Sequence, residues 1–224
     1  MKASSSPCPL DALSVIIFKR CPILCTYLRD LFSACWALKY FPKIWRRAAV
    51  TLIYKKGDTG DPQNFKPIAL QPVLGKILNA CIRNKIWGYL ISNKLLDTNM
   101  QKGFWPGVNG VTEHVEQLNY LLNHQKRMKR EIYVVLLDLK NAFGEVHHSL
   151  IRFSLAHHHI PPDVINIIMS QYTNFFLTVT SAKSGLRTGP IHVQRGVLQG
   201  DTLSPLLFNI VFDSLMASLS DSRI

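Results

Sequence analysis

The stretch IYVVLLDL, Ile132 to Leu139, constrains the fold more than any other in this 224-residue chain. Its apolar character is nearly continuous, with no period-2 alternation. That pattern is expected of a short strand buried on both faces, which needs neighbours along its edges and cover above and below. The aspartate within it, Asp138, adds a second condition. A carboxylate at the end of a buried strand is costly unless it is paired, binds a metal or caps the helix that follows. All three readings are open on this segment alone.

The cover is supplied by helical periodicity elsewhere. Leu24, Leu28, Leu31, Cys35 and Leu38 fall on one helical face, ended by Phe41-Pro42. Leu74, Ile77, Leu78, Cys81, Ile82, Ile86 and Leu90 mark a long helix over 72–93 with proline in its first turn. Further helices are expected over 111–128 (Val115, Leu118, Leu121, Leu122), 145–157, 161–172 and 202–219. AAVTLIY (48–54) and 66–70 flank the turn-rich tip KKGDTGDPQN, so 48–70 reads as a β-hairpin. FFLTVTS (175–181) and IHVQR (191–195) read as a strand pair. Helices and strands alternate irregularly, which favours a mixed α/β (α+β) architecture over a doubly wound sheet. Residues 1–22 contain Pro and Ser without clear caps and are expected to be ill defined.

The chain is 47% hydrophobic and carries a net charge of +12. In residues 1–56 ten Lys and Arg stand against Asp11 and Asp30 only. A basic excess of this kind suits a polyanionic partner such as nucleic acid or nucleotide phosphates, or else forms a solvated basic face. Five cysteines, an odd number, argue against a disulfide framework. Cys21-x3-Cys25 followed by Cys35 is a weak metal pattern, and reduced cysteines in an intracellular protein are the expectation. No apolar run approaches the ~20 residues of a membrane span, so no membrane partner is expected. The histidines at 147–148 and 157–159 lack the i, i+4 pairing that a shared metal ion wants on a helix.

The stretch RGVLQGDTLSPLLFN, Arg195 to Asn209, places a Gly-x-x-Gln-Gly element directly before a dense apolar run. Glycines there imply that something approaches the backbone closely. Together with VLLDLKNAF this stretch resembles the reverse transcriptase domain of non-LTR (LINE-type) retrotransposons. FPKIWRRAAVTLIYKKGDTGDPQNFKPIALQPVLGKIL is similar to the same family's fingers region, and QKGFWPG to its Gln-x-Gly-Phe-x-x-Gly loop. The resemblance runs from about Ile23 to Leu219.

The resemblance implies a right-hand polymerase: fingers over 23–130 and a partial palm over 131–224, with an incomplete mixed or antiparallel palm sheet packed on helices. It implies an RNA template, a DNA primer or target, deoxynucleoside triphosphates and two Mg²⁺ ions, with Asp138 as a catalytic metal ligand and the Leu139 carbonyl completing the shell. Phe143 would lie beneath the sugar and reject a 2′-hydroxyl. Lys55 and Lys66 would clamp the triphosphate; Lys66 stands where the family usually has Arg and so lacks the bidentate fork. Gln199 and Gly200 would lie against the incoming nucleotide and its template base, and Arg195 would face a phosphate. Two departures bear on activity. Gly144 stands where the family commonly has Asp, and nowhere in the chain do two aspartates adjoin, although the family uses a Phe/Tyr-x-Asp-Asp hairpin. The expectation is a truncated copy, inactive by itself, with a residual nucleic-acid-binding module or a non-functional relic as the alternatives. Asp213 and Asp221 are expected to face solvent rather than substitute as ligands. Nuclear action is implied by the resemblance alone, and the oligomeric state is left open.

Overall fold

The computed structural model describes residues 7–105, 107–180 and 185–221. The hairpin forms as its sequence demands. β1 (Arg47–Tyr54) and β2 (Phe65–Leu70) pair antiparallel, Ile53 opposite Lys66 and Thr51 opposite Ile68. Side chains opposite one another share a face, so Lys66 and Ile68 lie on the side that carries Thr51 and Ile53. Asp61 closes the tip by accepting the Gln63 N–H at 2.8 Å. β3 (Phe176–Thr180) runs parallel to β1, and the two-residue β4 (Ile191–His192) pairs antiparallel with β3. The result is one mixed four-stranded sheet of order β2-β1-β3-β4. The hairpin is therefore continuous with the later strands instead of standing apart from them.

Seven helices are present among the described residues: α1 (Val15–Arg20), α2 (Ile23–Ala37), α3 (Val73–Ser92), α4 (Gly110–Met128), α5 (His148–His157), α6 (Pro162–Tyr172) and α7 (Ser204–Asp221). None is long and apolar enough to cross a membrane. α1 falls where an ill-defined lead-in was expected, and two of the described residues ahead of it are tied down. Cys8 Sγ donates to the Gln71 carbonyl at 3.2 Å, and an Asp11 carboxylate oxygen accepts the Val73 N–H at 2.8 Å. Pro72 has no side chain able to cap α3, so an aspartate 62 residues earlier satisfies that helix terminus. No local pattern announces such a cap.

The main core lies among α2, α3, α5, α6 and α7, with Ile82, Leu90, Ile151, Leu155, Ile168, Leu207 and Ile210 almost fully buried. Each such side chain contributes about 1.5–3 kcal/mol of apolar burial. α5 and α7 are also joined by His158, which bridges the Ser154 carbonyl (2.8 Å) and the Asp213 carboxylate (3.0 Å). Asp213 is thus held at this joint, not free at the surface as the sequence suggested.

The clearest departure from expectation is Ile132–Leu139. No strand forms there, and Leu136 and Leu137 are 85% and 82% exposed. Asp138 is exposed and neither ends a strand nor caps a helix; the next helix, α5, starts at His148 with His147 ahead of it. The physical reason is pairing. A fully apolar strand is stable only between ladder partners, and no described strand of this chain lies alongside it. The preceding helix shares this state, since α4 buries none of its residues and exposes Val111, Val115, Leu121 and Leu122.

Candidate active-site cleft

A cleft of about 520 Å³ opens where β2, α3, the 103–105 loop, the 143–146 segment and the start of α7 meet. Four of the residues singled out in the sequence line it: Lys66, Phe143, Gln199 and Gly200. They come from three widely separated stretches of chain.

The 195–203 connection is pinned on both sides. The Gly196 and Val197 N–H groups donate to the Val146 and Phe143 carbonyls at 2.7 and 2.8 Å, which fixes Phe143 at the cleft wall. On the other side the Ala69 N–H donates to the Gln199 carbonyl at 2.7 Å. Gly200 has φ +109°, and a Cβ there would sit 2.8 Å from the Ala69 carbonyl oxygen. So the close neighbour that requires glycine at this point is the backbone of β2. The Gln199 side-chain oxygen is buried at the cleft and accepts no hydrogen bond. Phe143 is half-buried, tilted against Phe208 at 4.9 Å between ring centroids.

The remaining expected residues stand elsewhere. Lys55 is exposed, two pairs beyond Lys66 toward the hairpin tip, where its N–H donates to the Asn64 carbonyl at 2.9 Å. The pairing puts it on the same hairpin face as Lys66, outside the cleft lining. Asp138 and Leu139 lie on the exposed 132–139 segment and do not line the cleft. Arg195 is exposed and pairs with Glu145 at 3.3 Å, so the acid it meets here is a side chain of this chain.

Sequence reading did not single out Asp201 as a site residue. It is buried at the cleft floor, and its carboxylate accepts from the Asn79 amide (3.0 Å), the Thr202 N–H (2.7 Å) and the Ser204 hydroxyl (3.4 Å). It lies three residues ahead of α7, holds the Ser204 hydroxyl at the start of that helix and ties this point to α3 through Asn79. Burial pushes its pKa up, and these hydrogen bonds offset part of that rise. The available signal was an aspartate three residues before a helix, but nothing local shows that Asn79 meets it. Asp201→Ala is expected to cost about 2–4 kcal/mol, from the lost carboxylate hydrogen bonds and an unpaired buried amide. The pH dependence has a definite sign. A folded pKa raised above the unfolded one gives a contribution fully present below the unfolded value and lost as pH rises through the folded value. Urea melts of Asp201→Asn and wild type should therefore diverge in the variant's favour as pH rises from acid toward neutral.

The resemblance seen in the sequence implies divalent metal ions. Among the described residues no group of three His, Cys, Asp or Glu side chains is placed to hold an ion.

The sequence profile of the reverse transcriptase (RNA-dependent DNA polymerase) family matches residues 53–223. The chain is 30% identical over 195 residues to the Pol polyprotein of the type-1 retrotransposable element R2 of Nasonia vitripennis, covering 87% of this chain and 18% of that protein. It is 29% identical over 190 residues to the RNA-directed DNA polymerase from mobile element jockey of Drosophila melanogaster, covering 82% and 20%. It thus spans about a fifth of the length of these curated relatives. Among solved structures, apo telomerase of Candida tropicalis superposes with a TM-score of 0.50 over 85% of this chain and 44% of that one, at 14% identity, a likeness of fold. A profile matched over most of the chain and the R2 and jockey relatives lead to one conclusion: the chain belongs to the reverse transcriptase (RNA-dependent DNA polymerase) family, as a reverse transcriptase domain of the non-LTR retrotransposon kind.

Proposed function

We propose that residues 1–224 are the nucleotide- and template-facing part of an RNA-directed DNA polymerase, with fingers over 23–130 and part of the palm over 131–224. The observation that carries this reading is the convergence of Lys66, Phe143, Gln199 and Gly200 on one cleft. In it Lys66, with Lys55 further along the same hairpin face, attracts phosphates by point charge. Phe143 supplies bulk against a sugar 2′-hydroxyl, and Gln199 brings an unsatisfied amide oxygen toward a base or its template partner. The macromolecular partners are an RNA template and a DNA primer. Mg²⁺ is the ion suited to a carboxylate such as Asp138, but one carboxylate does not make a two-metal site, and no metal-dependent step is assigned to these residues. Arg195 is kept as a phosphate contact only in exchange for its Glu145 partner.

The test is binding of an RNA–DNA primer–template to residues 1–224 across a salt series. Affinity should fall by roughly 10³-fold or more between 50 and 200 mM salt if six or more phosphates are neutralised. Lys55→Gln combined with Lys66→Gln should lower the log–log slope by about 1–2. Binding that ignores salt, or a double variant indistinguishable from wild type, rejects the assignment. A non-catalytic nucleic-acid-binding module is the second reading, favoured by the exposed Asp138 and the unpaired 132–139 segment; it predicts the same binding without incorporation.

A further inference from the structure

The cleft has an aromatic side that the roles above leave unused. Phe104 is 64% exposed, yet its backbone sits at φ +64°, a left-handed conformation that a bulky residue rarely adopts. Something must hold it there. The Asn209 amide of α7 donates to the Gly103 carbonyl at 2.8 Å, the Gly103 N–H donates to the Gln101 side-chain oxygen at 2.8 Å, and the Trp105 indole N–H donates to the Gln101 carbonyl. Asn209 is buried, and its own side-chain oxygen, at the cleft, has no hydrogen-bond partner.

The held turn presents the Phe104 ring at the cleft, 5.7 Å from Phe143 and tilted by 49°, while Phe143 is backed by Phe208 and that ring by Phe212 at 5.6 Å. The inner rings are thus packed and the outermost is left with open area. Charge completes the pattern. The Arg83 guanidinium, also at the cleft, holds only the amide oxygen of its neighbour Asn84, at 2.6 and 3.2 Å, and among the described residues neither Arg83 nor Lys66 pairs with a carboxylate. An exposed ring beside unpaired cations matches the needs of a planar base that carries a phosphate.

We propose that Phe104 is a base-stacking residue of the cleft, positioned by Asn209 through Gly103, and that it takes the face of an unpaired nucleobase whose phosphate meets Arg83. This rests on the nucleic-acid reading above and extends it to residues which that reading does not use. The base comes either from a single-stranded stretch of nucleic acid or from a free nucleotide.

The experiment uses residues 1–224 and three probes: a single-stranded RNA 12-mer with one 2-aminopurine, the same strand with an abasic site in its place, and 2-aminopurine deoxyriboside triphosphate. Stacking quenches the probe fluorescence, and a titration gives the affinity. Phe104→Ala should weaken binding of one base-bearing probe roughly 5- to 100-fold and remove its quench, with the abasic strand unaffected and Phe104→Trp restoring both. Loss with the strand alone assigns the base to a strand; loss with the triphosphate alone assigns it to a free nucleotide. Asn209→Ala should weaken only the base-dependent part, which a general loss of packing would not do, and Arg83→Gln should weaken the abasic strand as well. Because Phe104 is exposed, its variants should melt like wild type. If wild type binds both base-bearing probes and Phe104→Ala binds them equally well, the stacking assignment is wrong while the polymerase reading stands. If wild type binds no probe at low salt, both fall together.

Discussion

Given an RNA template, an annealed DNA primer, deoxynucleoside triphosphates and Mg²⁺, residues 1–224 alone are expected to yield no extended primer. Transfer of a nucleotidyl group by two metals requires carboxylates that hold both ions and fix the in-line geometry. The chain offers Asp138, exposed on a segment without strand pairing, and no two aspartates adjoin anywhere in it. Asp201 cannot substitute, because its oxygens are committed to Asn79, Thr202 and Ser204. Removal of a preorganised charge partner at the reacting phosphorus costs on the order of 10²–10³ in rate, and several are lacking here. The measurement is a gel-based extension assay sensitive to single additions. Template-dependent incorporation that disappears in Asp138→Ala would show that a further carboxylate completes the site and that the 132–139 segment moves to meet it.

Gly200→Ala is the substitution expected to damage the fold of the cleft most for its size. Two costs add. At φ +109° an L side chain is strained by about 1–3 kcal/mol, and the new Cβ would lie 2.8 Å from the Ala69 carbonyl oxygen and 3.5 Å from Ile68 Cγ2. The close contact is backbone, so relief means moving β2 off the Gln199 carbonyl and breaking the 2.7 Å hydrogen bond to Ala69. A destabilisation of about 2–4 kcal/mol is expected, read from urea unfolding. Lys66, on the displaced strand, should lose its place at the cleft, so primer–template affinity should fall even in conditions where the variant is folded. A variant within about 0.5 kcal/mol of wild type, the range of ordinary surface changes, would refute the close-approach argument.

These two expectations divide along the line between local and distant causes. The hairpin, α2, α3, α5, α6 and α7 were legible in the sequence to within a few residues, because periodicity and turn residues act over one or two turns of chain. The family was legible too, since ordered motifs carry it, and four of the residues that those motifs single out, Lys66, Phe143, Gln199 and Gly200, line one cleft. The same reading misplaced Ile132–Leu139. Its residues state what a strand would need, and only partners elsewhere in space can supply that; here none is alongside, and Asp138 is exposed with it.

By itself the sequence determined α2 to α7, the hairpin, the basic excess and the kinship to reverse transcriptases, all of which follow from residues near one another in the chain or from their order. Tertiary structure alone decided that Asp11 caps α3 from 62 residues away, that Asn79 ties Asp201 to the cleft floor across 122 residues, that Asn209 aims Phe104, and that Gly200 is needed because of β2. Each is a hydrogen bond or a close approach between residues whose separation in sequence carries no local signal, because a buried polar group must find its partner wherever packing brings one within reach.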